Sequence, residues 1–197
     1  MQIKCPPSTH RDLLETREQR LIGFLTAGIE DATGAQEGAT QGTILAVARC
    51  GDSPVARALI ALRPTLAAKG YRVLVVFAEE DTQVDQFIAS GYDSGAMPDV
   101  RIVRNPRLRD AHEQLIVCGS GVWFGDSLRR DNNRRDLFEQ FLAAAPETAH
   151  AAARAFDKLW ARTEPYLRLA ALASDSLAAA LPGRTPGNAG PTDPALR

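Results

Sequence analysis

A histidine opens the segment of this chain with the strongest capacity for chemistry. Residues 111–139 read AHEQLIVCGSGVWFGDSLRRDNNRRDLFE, so His112 begins an apolar run and two carboxylates, Asp136 and Glu139, follow it. An imidazole exchanges protons near pH 7, and a carboxylate that accepts its other N–H selects the tautomer. We therefore predict a site at His112, with Asp136 or Glu139 orienting the ring. The alternative for both carboxylates is a surface pair with neighbouring arginines.

Arginines are concentrated around this histidine. Between residues 101 and 135 eight arginines stand against four acidic residues, in a chain whose formal net charge is −1. Guanidinium groups match phosphate oxygens in geometry and charge. The cluster predicts a cleft for a phosphate-bearing ligand or nucleic acid, and its alternative is a solvated face paired with nearby aspartates. The eight are Arg101, Arg104, Arg107, Arg109, Arg129, Arg130, Arg134 and Arg135.

The cysteines indicate neither a disulfide framework nor a metal centre. Cys5, Cys50 and Cys118 are odd in number and widely spaced, and no C-x-x-C pair occurs. We expect no metal and no cofactor. Cys118 in mid-strand fits a small core residue better than a nucleophile, whereas Cys50 falls at a strand end, where parallel sheets bind ligands.

Composition predicts one soluble domain. The chain has 197 residues, 45% of them hydrophobic, and its 23 Lys and Arg nearly balance its 24 Asp and Glu. A generally basic nucleic-acid or membrane binder is therefore excluded, so any basic site must be local. No apolar run is long enough to span a membrane, and the first 30 residues lack the order of a signal peptide, so we expect a cytoplasmic protein.

The elements before the histidine form a β-α-β unit. Residues 43–48, TILAVA, are typical of a buried strand, and Ser53 before a proline predicts the start of a helix over 54–69. Gly70 suits the end of that helix, and 71–78, YRVLVVFA, predicts a second buried strand. Such a unit implies a parallel strand pair and a right-handed crossover.

The elements after it are shorter. The pattern predicts two strands joined at Gly119-Ser120-Gly121. We expect Trp123 and Phe124 to pack the sheet against the C-terminal helix. Strand alternation places them on opposite faces, so the alternative for one of them is a dimer contact. The C-terminal helix is predicted from alanine-rich residues 143–181, broken near Pro165. The remaining predicted elements are a helix over 83–90 and strands over 100–103, 114–118 and 122–125.

Three regions follow from these patterns. Residues 1–41 hold an amphipathic helix, from Arg11 to about Ala32, and a glycine-rich connection. Residues 42–181 hold the α/β domain. The last 16 residues contain four prolines and three glycines, and we expect 182–197 to be disordered.

The ordered features around His112 resemble the phospholipase D superfamily. That family's motif is H-x-K-x4-D, followed by a Gly-Ser or Gly-Gly turn, an Asn and an acidic residue, after a strand-helix-strand similar to residues 43–78 here. The resemblance covers about residues 42–165 and implies a phospholipase D-like mixed sheet flanked by helices. It implies that His112 attacks phosphorus and that Ser127 and Asn132 or Asn133 orient the phosphate, the alternative being turn residues. Arg129 and Arg130 of the arginine cluster flank the Asn pair and are also candidate ligand-binding residues.

The chain departs from the family motif at two positions. Gln114 occupies the lysine position and Gly119 the aspartate position. Gln114 donates hydrogen bonds without supplying charge, and losing one such stabilising group costs roughly a hundredfold to a thousandfold in rate. The family's active site also uses two motif histidines, whereas this chain has one, so the resemblance implies a homodimer with a composite site.

Three functional hypotheses remain open at this point. The first is a degenerate phospholipase D-like domain that acts as a binding, scaffold or regulatory module, for a phosphate-bearing ligand or a protein partner. The second is a dimeric phosphodiesterase or nuclease with His112 as nucleophile. The third is a Rossmann-like domain with a nucleotide at residues 50–53, which no glycine-rich phosphate-binding motif supports.

Overall fold

Seven strands form one mixed sheet, in the order β6-β5-β4-β1-β2-β3-β7. Strands β1, β2 and β3 are parallel, whereas β4, β5, β6 and β7 pair antiparallel with their neighbours. The computed structural model describes residues 10–34, with side chains for 15–31, and 42–90, 97–117, 119–128 and 138–166. The strands are β1 (Thr43–Ala48), β2 (Arg72–Phe77), β3 (Asp99–Ile102), β4 (His112–Val117), β5 (Gly121–Ser127), β6 (Gln140–Leu142) and β7 (Glu164–Pro165).

Helices cover both faces of the sheet. They are α1 (His10–Gly34), α2 (Pro54–Ala68), α3 (Thr82–Ala89) and α4 (Pro146–Trp160), and a 3-10 helix (Pro106–Asp110) precedes β4. The predicted α/β class and mixed sheet flanked by helices are therefore confirmed. Within the described residues no helix is long and apolar enough to cross a membrane.

The predicted β-α-β unit is present. Ser53 Oγ accepts a hydrogen bond from the backbone N–H of Ala56 and caps α2. Gly70 follows α2 with a φ of 69°, the left-handed conformation that glycine adopts without strain. β1 and β2 then pair in parallel from Thr43 and Arg72 onward.

The predicted C-terminal helix is present as α4 and ends before the predicted break near Pro165, whereas residues 167–181 lie outside the described part of the chain. α4 ends at Trp160, and Pro165 lies in β7, which pairs with β3 rather than continuing a helix. Residues 167–197, including the tail predicted to be disordered, lie outside the described residues. Neither β6 nor β7 was predicted, because two- and three-residue strands carry no usable periodicity.

The expectation that Trp123 and Phe124 both pack against the C-terminal helix is confirmed for Phe124 and wrong for Trp123. Trp123 is fully buried on the α1 face, where the guanidinium of Arg17 lies 5.8 Å from its ring centre. Phe124, on the opposite face, packs against the core that β1, β4 and β5 form with α4, including Phe156. Strand alternation correctly predicts that the two aromatic rings lie on opposite faces, but not which helix covers each face.

The loop after β1 packs closely against the start of α3. A Cβ placed on Gly51 would lie 2.1 Å from the backbone carbonyl carbon of Gln83 and 2.3 Å from the backbone nitrogen of Val84. Backbone atoms have no freedom to move aside, so only glycine fits. By contrast, a Cβ on Gly23, in the middle of α1, would meet nothing within 4 Å.

We predict that Gly51→Ala destabilises the protein and Gly23→Ala does not. Overpacking at Gly51 costs roughly 1–3 kcal/mol, whereas alanine in a helix interior gains up to about 1 kcal/mol over glycine. Urea unfolding of both variants measures this difference. Equal unfolding midpoints for the two variants would contradict the close packing at Gly51.

Candidate functional site

His112 begins β4, and its side chain is exposed at the end of the strand. Its Nδ1 lies 3.1 Å from the carbonyl oxygen of Gly125. Because a carbonyl only accepts hydrogen bonds, Nδ1 carries the proton and donates it. In the neutral ring Nε2 therefore holds an unprotonated lone pair, the form that accepts a proton or attacks an electrophile.

Two further contacts surround the imidazole. His112 is the register partner of Ser127 in β5, and the pairing shifts by one residue between His112 and Gln114. Such a bulge leaves one residue without ladder partners and redirects the neighbouring side chains. The ring of Phe138 lies 6.3 Å from the imidazole, edge to face, with 46% of Phe138 exposed.

Gln114, two residues along β4, lines a pocket on the α4 side of the sheet. The pocket has a volume of about 270 Å³. Its walls carry three cationic side chains: Arg107 from the 3-10 helix, Lys158 from α4, and Arg162, two residues after the end of α4. The remaining lining is apolar: Leu108, Ala111, Ala155, Phe156 and Leu159.

The cations of this pocket surround a neutral residue. The Gln114 side chain supplies no charge, and its Oε1 is buried without a hydrogen-bond partner in the described part of the chain. The salt bridges found among the described residues include none from Arg107, Lys158 or Arg162. The pocket therefore presents three positive charges that no described carboxylate neutralises by direct pairing.

A buried carboxylate lies between His112 and Gln114, on the opposite face of β4. Glu113 is 1% exposed, and its Oε1 accepts a hydrogen bond from the backbone N–H of Arg49 at 3.3 Å. Burial raises the pKa of Glu113, and the nearby charges of Arg49 and Arg17 oppose part of that rise. Asp126, also buried, adds a smaller upward effect.

Glu139 contacts α1 rather than the histidine. Its Oε2 accepts hydrogen bonds from Arg17 Nε at 3.4 Å and from Arg20 Nη2 at 2.9 Å. Arg17 also donates to the carbonyl oxygen of Phe138 at 3.4 Å, so α1 holds this chain segment beside His112. Among the described residues, the hydrogen-bond partner of the imidazole is a backbone carbonyl and not Glu139.

Ser127 lies at the end of β5, opposite His112, as the sequence predicts. Its backbone N–H donates to Asp126 Oδ1 at 2.8 Å, and its carbonyl oxygen accepts from Arg49 Nη2 at 3.0 Å. The other predicted ligand-binding and orienting residues fall outside the described part of the chain. These are Arg129, Arg130, Asn132, Asn133 and Asp136, together with Arg134 and Arg135 of the arginine cluster.

Two arginines of the predicted cluster make other contacts. Arg101 Nη1 donates to the carbonyl of Trp160 at 2.6 Å, and its guanidinium stacks 4.9 Å from that ring centre. Arg104 pairs with Glu80 and, at 3.7 Å, with Glu164. Both therefore stabilise the β3 side of the fold.

The cationic residues that the sequence analysis missed come from distant segments. Lys158 and Arg162 are about 45 residues from Gln114 in sequence, and reach it because α4 crosses β4 and β5. Lys158 and Arg162 are four residues apart, but Arg162 follows the end of α4, so helical spacing alone does not indicate that they meet at this pocket. The buried Arg49 carried no sequence signal.

Cys50 and the loop after β1 have no features of a ligand site. The thiol is half-buried, and burial, with smaller effects from Asp81, Glu79 and Glu113, raises its pKa, which disfavours the reactive thiolate. Cys118 lies outside the described residues. In the described part of the chain no three His, Cys, Asp or Glu side chains are grouped to hold a metal ion.

Comparison with known proteins gives matches among solved structures alone. No protein-family model and no curated protein matches the chain. The phospholipase D family member Nuc from Salmonella typhimurium shares 15% identity at a TM-score of 0.45, over 65% of this chain and 84% of its own. NucT from Helicobacter pylori shares 12% identity at a TM-score of 0.46, over 75% of this chain and 94% of its own.

A third similar structure is TrmBL2, described as an archaeal chromatin protein with a novel mode of DNA binding. It shares 16% identity at a TM-score of 0.46, and the match covers 64% of this chain and 45% of TrmBL2. Of the three, Nuc is described as a phospholipase D family member. The function proposed for this chain depends on its own residues and not on these likenesses.

We predict that Glu113→Gln changes how stability depends on pH. Because burial raises the pKa of Glu113 above its unfolded value, the native state binds more protons, and the free energy of unfolding falls as pH rises above about 4.5. Gln cannot ionise, so this pH-dependent loss of stability is absent in Glu113→Gln. The unfolding free energy of the variant therefore declines less between pH 4.5 and 8. Urea unfolding across this range measures it, with exposed Glu79→Gln as control. Identical profiles for Glu113→Gln and wild type would contradict the prediction.

Proposed function

We propose that this chain is a degenerate phospholipase D-like domain that binds a phosphate-bearing ligand without catalysing its hydrolysis. The observation that carries the proposal is the pocket at Gln114, where a neutral amide takes the motif lysine's position beside Arg107, Lys158 and Arg162. The domain then serves as a binding, scaffold or regulatory module. Its ligand is a free phosphate compound, or a phosphate group carried by a partner macromolecule.

The chemistry of the pocket suits a phosphate group. Two guanidinium groups and one ammonium offer charge-assisted hydrogen bonds, which are shorter and stronger than neutral ones. The Gln114 amide adds a donor without charge. The three cations are exposed to solvent, and Leu108, Phe156 and Leu159 provide an apolar surface beside them.

Three features argue against catalysis. The motif lysine is replaced by Gln114, so no cation stands at that strand position to neutralise charge developing on phosphorus. The motif aspartate is replaced by Gly119, which has a φ of 86° in the turn between β4 and β5. Glu139, a predicted partner of the imidazole, accepts hydrogen bonds from Arg17 and Arg20 instead.

The second candidate function is phosphodiester hydrolysis, and the state of His112 favours it. With Nδ1–H donated to Gly125, Nε2 is free to attack phosphorus, forming a P–N bond as the ester oxygen leaves with the P–O electron pair. A second histidine must protonate that oxygen. If the protein is a phosphodiesterase, it is a homodimer, and this second histidine is His112 of the other copy.

We predict that inorganic phosphate raises the melting temperature of the protein and that loss of pocket cations weakens the effect. A charge-assisted hydrogen bond contributes about 1.5–3 kcal/mol, so Lys158→Gln or Arg162→Gln weakens phosphate binding roughly tenfold or more. Arg154→Gln, on α4 but outside the pocket lining, is the matched control. Calorimetric titration measures each Kd. Equal Kd values for all variants would exclude this pocket as the phosphate site.

A parallel titration with a single-stranded oligonucleotide tests nucleic acid as the source of the phosphate. Binding that weakens steeply with salt, and that requires Lys158 and Arg162, would identify a nucleic-acid ligand. Phosphate binding without oligonucleotide binding would identify a small phosphate compound or a phosphorylated partner.

We predict no turnover of a chromogenic bis-aryl phosphodiester or of single-stranded DNA by the wild type. Absence of the motif lysine's charge lowers the rate by roughly a hundredfold to a thousandfold, and the aspartate position is also altered. The assay compares wild type with His112→Ala and Gln114→Lys. Turnover by wild type that His112→Ala removes would instead establish the phosphodiesterase, and light scattering then tests for two 21.3-kDa chains.

A further inference from the structure

Arg49, directly after β1, makes an unusual set of contacts for a buried arginine. It is 8% exposed. Its Nη1 donates to the carbonyl oxygen of Leu128 at 2.7 Å, and its Nη2 to the carbonyl oxygen of Ser127 at 3.0 Å. Its backbone N–H donates to Glu113 Oε1 at 3.3 Å. One residue therefore connects the ends of β1 and β5 to the middle of the His112–Gln114 segment.

The carbonyls that Arg49 holds belong to the chain segment opposite His112. Ser127 is the register partner of His112. The backbone N–H of Leu128 donates to the carbonyl of Ala111 at 3.0 Å, immediately before the histidine. Gly125, three residues before Leu128, supplies the carbonyl that accepts the imidazole proton.

The hydrogen bonds between β4 and β5 do not by themselves fix the backbone conformation at this end of β5. The register shift between His112 and Gln114 interrupts the β4–β5 pairing where Gly125 lies. Gly125 is also crowded, since a Cβ there would lie 2.4 Å from Trp123 Cη2. The direction of the Gly125 carbonyl therefore depends on what holds the residues after the bulge. Arg49 holds the carbonyls of two of them, in addition to the backbone hydrogen bond from Leu128 to Ala111.

We propose that Arg49 is a positioning residue for His112: by holding the carbonyls of Ser127 and Leu128, it keeps the Gly125 carbonyl in place to accept the Nδ1 proton. The imidazole then presents Nε2 as its unprotonated nitrogen. This inference rests on the proposed function only in taking His112 as part of the site.

The chemistry of the contact requires a guanidinium. Its planar fork reaches two carbonyl oxygens on adjacent residues at once, whereas a lysine ammonium is a single point donor on a flexible stem. The Glu113 carboxylate, near the same arginine, balances its charge in this buried setting. Arg49→Lys therefore keeps the charge and loses the two-carbonyl contact.

The chain contains a matched control for this substitution. Arg63 of α2 is 6% exposed, and its two terminal nitrogens donate to Ser90 Oγ and to the carbonyl of Phe87. It is also a buried arginine with two hydrogen-bond acceptors, but both of them lie in and after α3. Arg63→Lys therefore reproduces the general cost of altering a buried arginine without touching β4 or β5.

The experiment determines the tautomer of the His112 imidazole by NMR, with no ligand present. Long-range nitrogen–proton spectra of the full chain distinguish Nδ1–H from Nε2–H tautomers, and His112→Gln identifies which of the three histidine signals is lost. We expect the Nδ1–H form for neutral His112 in wild type and in Arg63→Lys. In Arg49→Lys we expect the signals to shift towards a mixture of tautomers.

Two results would overturn the proposal. One is an unchanged His112 tautomer in Arg49→Lys while both lysine variants lower the melting temperature. The other is an Nε2–H tautomer of His112 in wild type. This result would exclude the proposed hydrogen bond from Nδ1 to Gly125 even if Arg49→Lys does not fold. Because the readout needs no phosphate and no turnover, it stays informative whether or not the proposed ligand binding is found.

Discussion

The burial of the Glu113 carboxyl group is the constraint on which the geometry of this end of the sheet depends. A carboxylate at 1% exposure is stable only with compensation, and here Arg49 and Arg17 lie near it. Arg49 joins β1 to the end of β5, and Arg17 joins α1 to Glu139. At this position Glu113 faces Arg17 of α1, and Gln114 faces the pocket beside α4.

The two faces of β4 therefore have different roles. Glu113 and Trp123 belong to the α1 face, where charge is buried and paired and the indole is fully enclosed. Gln114 belongs to the α4 face, where Arg107 and Lys158 stand in an open pocket beside apolar residues. The buried ion pair of Arg17 with Glu139 and the pocket cations thus lie on opposite faces of β4.

The distribution of charge is what supports the proposal that this pocket binds an anion although Gln114 occupies the position of the motif lysine. At the motif position the side chain is neutral, but α4 and the 3-10 helix bring cations to the same pocket from other parts of the chain. Such cations are placed to bind a phosphate group, because binding needs only proximity. Catalysis needs charge aligned with a developing transition state, which is a stricter requirement.

Local signals in the sequence were sufficient for several elements. The capping serine before Pro54, the glycine after α2 and the apolar run of β1 each act over a few residues, so the β-α-β unit and its parallel pairing were predictable. The alternation that separates Trp123 from Phe124 is equally local. The role of His112 as the first residue of β4, opposite Ser127, also agrees with what the motif indicates.

What the sequence by itself determined is therefore the α/β class, most element positions and the segment that carries the histidine. Only the tertiary structure decided that α1 covers Trp123, that α4 stops at Trp160, that Glu139 contacts arginines of α1, and that Arg49 supports the end of β5. Caps, turns and alternation depend on neighbours along the chain. Pairing of buried charges, and the choice of helix for each sheet face, depend on contacts between residues tens of positions apart, which no local pattern records.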